Sequence, residues 1–298
     1  MKHFTLPKEG GLVEKNIPSD ILHSYEKIRT EIYDQSTTAS EVIADEIIDS
    51  INACQGRTFK LGLSTGVTPV SLYKWLTRKY QEGKVSFSNV EVYSIDEYYP
   101  YGKGEPQSRN SILHNSLLNA VDIKEENIHI PDGSVPEDKI TAYCEEYDKM
   151  VRGLDMLVIG MGEMAQVGFN EAGTSPVSRT RTVLLSYQSR KRQGKNFNGD
   201  FKHTPSQAIT IGIDTMMSAK KIVLMAWGED KANAVKHVCE CNPDYEYPAS
   251  LFQGHQNICC YVDETAGSLL TRVVSPWLVG PCDWTRKFIR KAVVWLCQ

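Results

Sequence analysis

Five polar side chains follow a short apolar run near the middle of the chain and are the first candidates for chemistry. The run MLVIG (residues 156–160) is preceded by Asp155 and ends in glycine, which is typical of a strand buried on both faces of a parallel sheet. Ligands of open α/β sheets bind outside the carboxyl ends of such strands, so this position predicts a binding or catalytic site. The alternative is a glycine loop with ordinary surface polar residues. The side chains are those of Gln166, Asn170, Glu171, Arg179 and Arg181.

A second candidate is the loop STGVTP (residues 64–69), which lies between a predicted strand (59–63) and a predicted helix (70–80). Free backbone N–H groups and the positive end of the helix dipole would point at this loop, and Thr65 and Thr68 add hydroxyl donors. The pattern therefore predicts a phosphate site, although no GK[ST] follows and the loop is not a Walker A sequence. The alternative is that glycine and threonine serve only the geometry of the turn.

An acidic pair, Asp96 and Glu97, follows the predicted strand 90–95. A carboxylate at the end of a strand is rigidly held and could act as a general base. It could also cap a helix or lie in a solvated turn, and the local sequence alone favours the cap.

Two lysines could complete an anion site. Lys231 follows the predicted strand 222–226 and so reaches the same edge of the sheet. Lys195 lies in a polar segment, residues 186–204, that is rich in Gly, Lys, Arg and Asn. A segment of this kind between two strands predicts a mobile lid.

The composition is that of a soluble globular protein. The 298 residues are 41% hydrophobic and 23% charged. A net charge of -4 argues against a nucleic-acid partner, and the apolar runs are too short for a membrane span. The eight cysteines show neither the spacing of a disulfide framework nor a zinc pattern, and no secretory leader is recognised. We therefore expect reduced thiols and a cytoplasmic location.

The alternation of short apolar strands and helices predicts an α/β fold: a doubly wound, mainly parallel sheet with helices on both faces, in a Rossmann-like three-layer sandwich. We predict an N-terminal extension (1–36) with a helix near 19–32, an α/β domain (37–270) and a C-terminal helical tail or linker (271–298).

Two helix ends carry more detailed predictions. The first helix of the α/β domain is predicted to begin at Thr38, with Glu41 completing a capping box. The tail is basic and amphipathic, which is typical of a helix that packs on its own domain or, less often, binds a membrane surface or a partner.

Four motifs in register resemble those of the glucosamine-6-phosphate deaminases, in the order and at about the spacing of that family. The resemblance extends from about residue 38 to residue 264. The related 6-phosphogluconolactonases share the fold and the first loop but lack the tyrosine of DEY and the FNE run. The tail sequence PWLVGPCDWT also resembles the connecting region of longer bacterial versions that carry a deacetylase-like domain. The four motifs are TGVTP (65–69), IDEY (95–98), GFNE (168–171) and SRTR (178–181).

The resemblance implies conversion of glucosamine 6-phosphate and water into fructose 6-phosphate and ammonia. In that family the sugar ring opens, a carboxylate moves a proton from C2 to C1, and the enolamine loses ammonia; by resemblance Asp96 is this base. The implied partner is a small-molecule hexosamine 6-phosphate, no metal or organic cofactor is implied, and relatives often form homo-oligomers. The implied phosphate-binding residues are Thr65, Gly66, Val67, Thr68, Lys231 and Lys195, the last at a lid position usually held by arginine.

The loop after the central strand departs from the family pattern. The family reads GxGxDGHIxFNE, whereas residues 160–171 read GMGEMAQVGFNE. Met164 therefore stands in place of an orienting Asp or Asn, Ala165 in place of a glycine, and Gln166 in place of the ring-opening histidine. Of the family's proton relay only Glu171 remains.

Two hypotheses follow from this departure, because glutamine can bond to a ring oxygen but cannot accept and return a proton as imidazole does. The first is a deaminase with reduced or altered activity, whose catalytic residues are Asp96, Glu171 and Gln166. The second is a non-catalytic sugar-phosphate sensor or regulatory protein. A 6-phosphogluconolactonase is a third and less favoured hypothesis.

Overall fold

The strand Met156–Gly160 buries side chains on both of its faces, as its unbroken apolar sequence predicts. The computed structural model describes residues 25–54, 56–197 and 199–297. Met156 and Val158 belong to one apolar cluster, and Leu157 and Ile159 belong to the other. This strand therefore separates two cores.

Two sheets are formed by the strands of the described residues. These strands are β1 (Arg29–Tyr33), β2 (Phe59–Leu63), β3 (Val90–Ser94), β4 (Asp96–Tyr99), β5 (Ile128–His129), β6 (Met156–Gly160), β7 (Arg181–Leu184), β8 (Gln207–Thr210), β9 (Ile222–Ala226) and β10 (Ile258–Asp263). The seven-stranded sheet has the order β1-β10-β9-β6-β2-β3-β5, and its neighbours are parallel. The smaller sheet, β4-β8-β7, is antiparallel and was not predicted.

Helices cover both faces of the large sheet, which confirms the predicted α/β class. The α-helices are α1 (Ser36–Ala53), α2 (Val70–Gln81), α3 (Arg109–Ser116), α4 (Ile140–Val151), α5 (Tyr187–Gln193), α6 (Ile213–Met217), α7 (Ala232–Glu240), α8 (Thr271–Val274) and α9 (Arg286–Leu296). The 3-10 helices are Leu118–Ala120, Glu125–Asn127, Gly194–Phe197, Glu229–Lys231, Pro248–Phe252 and Pro276–Leu278. The apolar sides of α1, α2 and α3 belong to the core on one face, and those of α4, α6 and α7 belong to the core on the other.

Three local predictions are wrong. The helix predicted near 19–32 is not formed over 29–32, because these residues pair with β10 as the edge strand β1; residues 19–24 lie outside the described part of the chain. Helix α1 begins at Ser36 after Gln35 and makes no side-chain cap, so the capping box at Thr38 is also wrong. The sequence of residues 209–213 also predicts a strand, but strand β8 ends at Thr210 and Ile213 begins α6. Strand β1 therefore belongs to the large sheet although it lies in the predicted N-terminal extension (1–36). The division of the chain into three parts otherwise stays a prediction.

The C-terminal helix α9 makes little contact with the rest of the structure. Ala292 is its buried residue, whereas Ile289, Val293 and Leu296 are exposed. The predicted packing of this helix on its own domain is thus limited to a narrow strip. Within the described residues, no helix has the length and apolar character needed to cross a bilayer.

Candidate active site

The carboxyl ends of the three central strands meet at one edge of the large sheet. The N–H of Ile95, directly after β3, donates to Leu63 O at 3.2 Å, and the N–H of Ser64, directly after β2, donates to Val158 O at 3.2 Å. The N–H of Gly160 donates to Ser64 Oγ at 3.2 Å. Asp96, the loop of residues 64–69 and the segment after β6 therefore all begin at the same edge.

Asp96 is buried at the start of β4, where it is 5% exposed and pairs with Thr210. Gly168 lies beside it with φ +56°, and a Cβ on this glycine would stand 3.3 Å from Asp96 Oδ2 and 3.0 Å from Thr210 Oγ1. Only glycine adopts this backbone conformation without strain and leaves that space open. Burial raises the pKa of Asp96, and the charge of Arg109 opposes the rise.

Arg109 provides a buried cation that the sequence reasoning missed. Its Nε lies 3.4 Å from Asp96 Oδ1. Its guanidinium lies 4.6 Å from the ring centroid of Tyr98 and 5.3 Å from that of Phe169. Two facts could have pointed to Arg109: a buried carboxylate requires a counter-charge, and Arg109 is the first arginine after Asp96.

Glu97 points to the other side of β4 and caps helix α3. Its carboxylate accepts hydrogen bonds from the N–H groups of Tyr98 at 2.8 Å, Arg109 at 2.9 Å and Asn110 at 2.9 Å. Burial raises its pKa to about 7, and these N–H groups oppose the rise. The helix-cap alternative is therefore correct for Glu97, whereas Asp96 makes no such contact among the described hydrogen bonds.

The loop of residues 64–69 is anchored at its second threonine. A Cβ on Gly160 would stand 2.8 Å from Thr68 Cβ, and Trp227 Nε1 donates to Thr68 O at 3.0 Å. Gly66 has φ +105° and Val67 is 90% exposed, so the middle of the loop is open to a ligand. Thr65 is half-buried, and helix α2 begins directly after the loop.

The two candidate lysines differ in their surroundings. Lys231 is largely buried, with a side chain 14% exposed, and forms an ion pair with Asp230. It follows Trp227 by four residues, so its 3-10 helix starts near the loop. Lys195 is exposed on the 3-10 helix Gly194–Phe197, and no described contact joins it to the loop.

The predicted lid, residues 186–204, contains helix α5 and a 3-10 helix. It contacts the site through Tyr98, whose hydroxyl donates to Gln193 Oε1 at 2.8 Å and whose ring centroid lies 5.5 Å from that of Phe197. Its mobility stays a prediction.

Gln166 is folded back onto its own loop. Its Oε1 accepts a hydrogen bond from the Met164 N–H at 2.9 Å, and its amide lies over Gly162, where a Cβ would come within 2.2 Å of Gln166 Cδ. Met164 is 46% exposed. Ala165 is fully buried and has φ +56°, a left-handed conformation that favours glycine.

Glu171 lies in an open cleft of about 540 Å³ whose lining includes Phe169, Thr174 and Arg181. Its Oε2 accepts a hydrogen bond from the Ser186 N–H at 3.2 Å, and its Oε1 is buried with no hydrogen-bond partner among the described residues. Glu171 therefore borders the cleft with one carboxylate oxygen unsatisfied.

Asn170 and Arg181 stabilise the segment after β6 by hydrogen bonds, whereas no described hydrogen bond or ion pair joins the Arg179 side chain to it. Asn170 Nδ2 donates to Val167 O at 3.0 Å and Ile211 O at 2.8 Å, and its Oδ1 accepts a hydrogen bond from Arg181 at 3.0 Å. The side chain of Arg179 is 70% exposed and lies 3.9 Å from Asp214. Asn170 and Arg181 therefore hold the loop, and Arg179 forms a surface ion pair.

Comparison with known proteins identifies the family. Residues 34–167 match the family model of glucosamine-6-phosphate isomerases/6-phosphogluconolactonase. Glucosamine-6-phosphate deaminase 2 of Bacillus subtilis is 38% identical over 214 residues, which are 70% of this chain and 85% of that protein. The chain belongs to this family.

Other members of the family cover most of the chain. A glucosamine-6-phosphate deaminase of Lysinibacillus sphaericus is 36% identical over 78% of this chain and 95% of its own. The structure of a monomeric glucosamine-6-phosphate deaminase is 31% identical, with a TM-score of 0.77 over 81% of this chain and 100% of that one. The 6-phosphogluconolactonase of Leishmania guyanensis has a TM-score of 0.64 at 17% identity and therefore shares the fold alone.

One longer relative covers nearly the whole chain. A glucosamine-6-phosphate deaminase-like protein of Bacteroides thetaiotaomicron is 39% identical over 96% of this chain, but the match spans only 44% of that protein. The names of these relatives mention no deacetylase-like domain, so the resemblance of the tail to the connecting region of such longer versions is not confirmed.

Proposed function

We propose that this chain is a glucosamine-6-phosphate deaminase, which converts glucosamine 6-phosphate and water into fructose 6-phosphate and ammonia. The observation that carries the proposal is the buried carboxylate of Asp96, beside Gly168 and at the same edge of the sheet as the loop of residues 64–69. Family members 36–38% identical to this chain are named for this activity.

Asp96 is proposed as the base that moves the proton from C2 to C1 of the open-chain sugar. A base for this step must be held close to the C–H bond and away from bulk water. Its burial and its pairing in β4 support this role, since both restrict its position.

The phosphate is proposed to bind Thr65, Gly66, Val67 and Thr68, with Lys231 and Lys195 as cations. The start of α2 directly after the loop supports this assignment, because its N–H groups and dipole favour an anion. The exposure of Lys195 indicates that it would reach the phosphate only after movement of the lid segment.

Ring opening is proposed to depend on Glu171 and Gln166. The place of Glu171 in the lining of the open cleft supports its role, whereas Oε1 of Gln166 accepts the Met164 N–H. Because glutamine is not a proton carrier, this step is expected to be slower by ~10² to 10⁴ than with a positioned acid–base group. Turnover would then rely on the small fraction of sugar that opens spontaneously.

The proposal is tested by incubating the protein with glucosamine 6-phosphate and measuring ammonia and fructose 6-phosphate. The wild type should produce both in equal amounts, and Asp96→Asn should lower kcat by ~10² to 10⁴. Asp45→Asn is the control, because it removes an exposed carboxylate on the outer side of α1 and should leave kcat unchanged. A wild type that releases no ammonia refutes the proposal.

A sugar-phosphate-binding protein without catalysis is the second candidate, and the engaged amide of Gln166 favours it. It predicts that glucosamine 6-phosphate binds, as measured by calorimetry, but is not converted. The cytoplasmic location and the homo-oligomeric state stay predictions from the sequence.

A further inference from the structure

Asp96 and Arg109 form a buried pair that is incomplete in its hydrogen bonding. Each residue is 5% exposed. Asp96 Oδ1 and Arg109 Nε lie 3.4 Å apart, and neither atom has a hydrogen-bond partner among the described residues. Removing one member of such a pair leaves the other as an uncompensated buried charge.

The guanidinium of Arg109 is held in place from several sides. Its carbon lies over the rings of Tyr98 and Phe169, and its own backbone N–H donates to Glu97 Oε1 at 2.9 Å. Phe169 directly follows Gly168, the residue that lies against Asp96 Oδ2. The cation is therefore fixed on one side of the carboxylate while glycine keeps the other side open.

We propose that Arg109 is a positioning residue that holds the Asp96 carboxylate in its charged form and in one orientation. This inference rests on the proposed function, in which Asp96 must be ionised to accept a proton. A carboxylate in this degree of burial otherwise favours its neutral form, and a protonated Asp96 cannot act as a base.

The other groups that interact with Asp96 cannot replace this charge. Tyr73 of α2, Tyr98 of β4 and Tyr147 of α4 are the tyrosines whose pKa is raised by burial and, in addition, by the charge of Asp96. They stay neutral near pH 7, whereas Arg109 of α3 is the cation that opposes the rise in the pKa of Asp96. Glu97, next in the chain, cannot supply a positive charge and points to the other side of the strand.

The first test is the pH dependence of kcat/KM for glucosamine 6-phosphate, measured by ammonia release between about pH 5 and pH 9 for Arg109→Met and Arg109→Lys. In Arg109→Met the fall of kcat/KM at low pH (the acid limb) should begin about one pH unit or more higher than in the wild type. Relative to the wild type, kcat/KM should therefore be reduced roughly tenfold more near pH 6 than near pH 8. Arg109→Lys should keep the limb near that of the wild type. Arg57→Met is the matched control, because Arg57 pairs with Asp155 at the opposite end of the sheet and should leave the limb in place.

A uniform loss of activity in Arg109→Met, with the acid limb unchanged, overturns the proposal and leaves Arg109 a purely structural residue. Arg109→Gln takes the place of Arg109→Met if the methionine variant does not fold.

A second measurement decides the inference even if the wild type releases no ammonia and the proposed function fails. It compares the free energy of unfolding at about pH 5 and pH 8 within two pairs of proteins: Arg109→Met with Arg109→Met/Asp96→Asn, and the wild type with Asp96→Asn. Arg109→Met should lose stability as pH rises. In this variant the pKa of Asp96 is higher in the folded state than in the unfolded state, so ionisation of Asp96 favours unfolding. The double variant should lack this loss, and the difference in pH dependence between the wild type and Asp96→Asn should be smaller because Arg109 is present. A difference as large in the wild-type pair as in the Arg109→Met pair overturns the inference.

Discussion

Thr68 lies so close to Gly160 that a Cβ on the glycine would stand 2.8 Å from the threonine Cβ. Gly160→Ala is therefore expected to displace the loop of residues 64–69. If that loop binds the phosphate, KM for glucosamine 6-phosphate should rise by ~10-fold or more, because small displacements of a binding group are costly. Steady-state kinetics measure the change. Gly104→Ala is the control, since no atom lies within 4 Å of its added Cβ; an unchanged KM in Gly160→Ala would exclude the loop from substrate binding.

Ala165→Gly should cost less stability than the same change at another buried alanine. Ala165 has φ +56°, and a left-handed conformation costs a non-glycine residue about 1–2 kcal/mol. Relief of this strain offsets the lost methyl group. Ala234→Gly, in helix α7 and equally buried, has no such relief and should be more destabilising by ~1 kcal/mol or more in urea unfolding. Equal losses in the two variants would show that Ala165 is unstrained.

Gln166→His combined with Met164→Asp should increase kcat. Histidine can carry the proton to and from the ring oxygen, and the aspartate can orient it, so the expected gain approaches ~10²-fold. Gln166→His alone should gain less, because its ring lacks an orienting partner. The measurement is ammonia release at saturating substrate. A double variant no faster than the wild type would mean that ring opening does not limit turnover.

The stability of the protein should depend on pH through Glu97. Burial raises the pKa of this carboxyl from 4.5 to about 7, so the stability that it contributes is complete below about pH 4.5 and is lost as pH rises to about 7. The loss is on the order of 3 kcal/mol. Glu97→Gln removes the ionisation. Its free energy of unfolding, measured across this pH range, should therefore fall less steeply than that of the wild type, and parallel curves would contradict the assignment.

The middle of the large sheet was predictable because β2, β3, β6, β9 and β10 carry a clear local signal, whereas the edge strand β1 was predicted as a helix and β5 has only two residues. Met156–Gly160 is an unbroken apolar run bounded by Asp155 and glycine, and Ile258–Asp263 is similar. The small sheet was not predictable: β4, β7 and β8 have four residues each, which is too short for a two-residue period to stand out. Its pairing also depends on contacts between segments far apart in the chain.

The candidate site was predictable only in part. The motifs pointed to Asp96 and the loop of residues 64–69, which directly follow β3 and β2, and to Glu171, which lies in the GFNE motif after β6. Arg109 was missed because its contact with Asp96 exists only in the folded chain, where Arg109 begins helix α3. The folded-back amide of Gln166 likewise depends on the shape of the turn around Gly162.

Glu97 accepts the backbone N–H of the same residue whose side chain accompanies Asp96. Glu97 and Asp96, which are adjacent in β4, are thereby both linked to Arg109, one through its backbone N–H and the other through its guanidinium. Substitution of Glu97 would therefore displace Arg109 and, through it, the carboxylate of Asp96, although Glu97 points away from Asp96. A variant of Glu97 is therefore expected to lose activity although Glu97 has no proposed contact with substrate, and its stability profile would reveal the indirect origin of the defect.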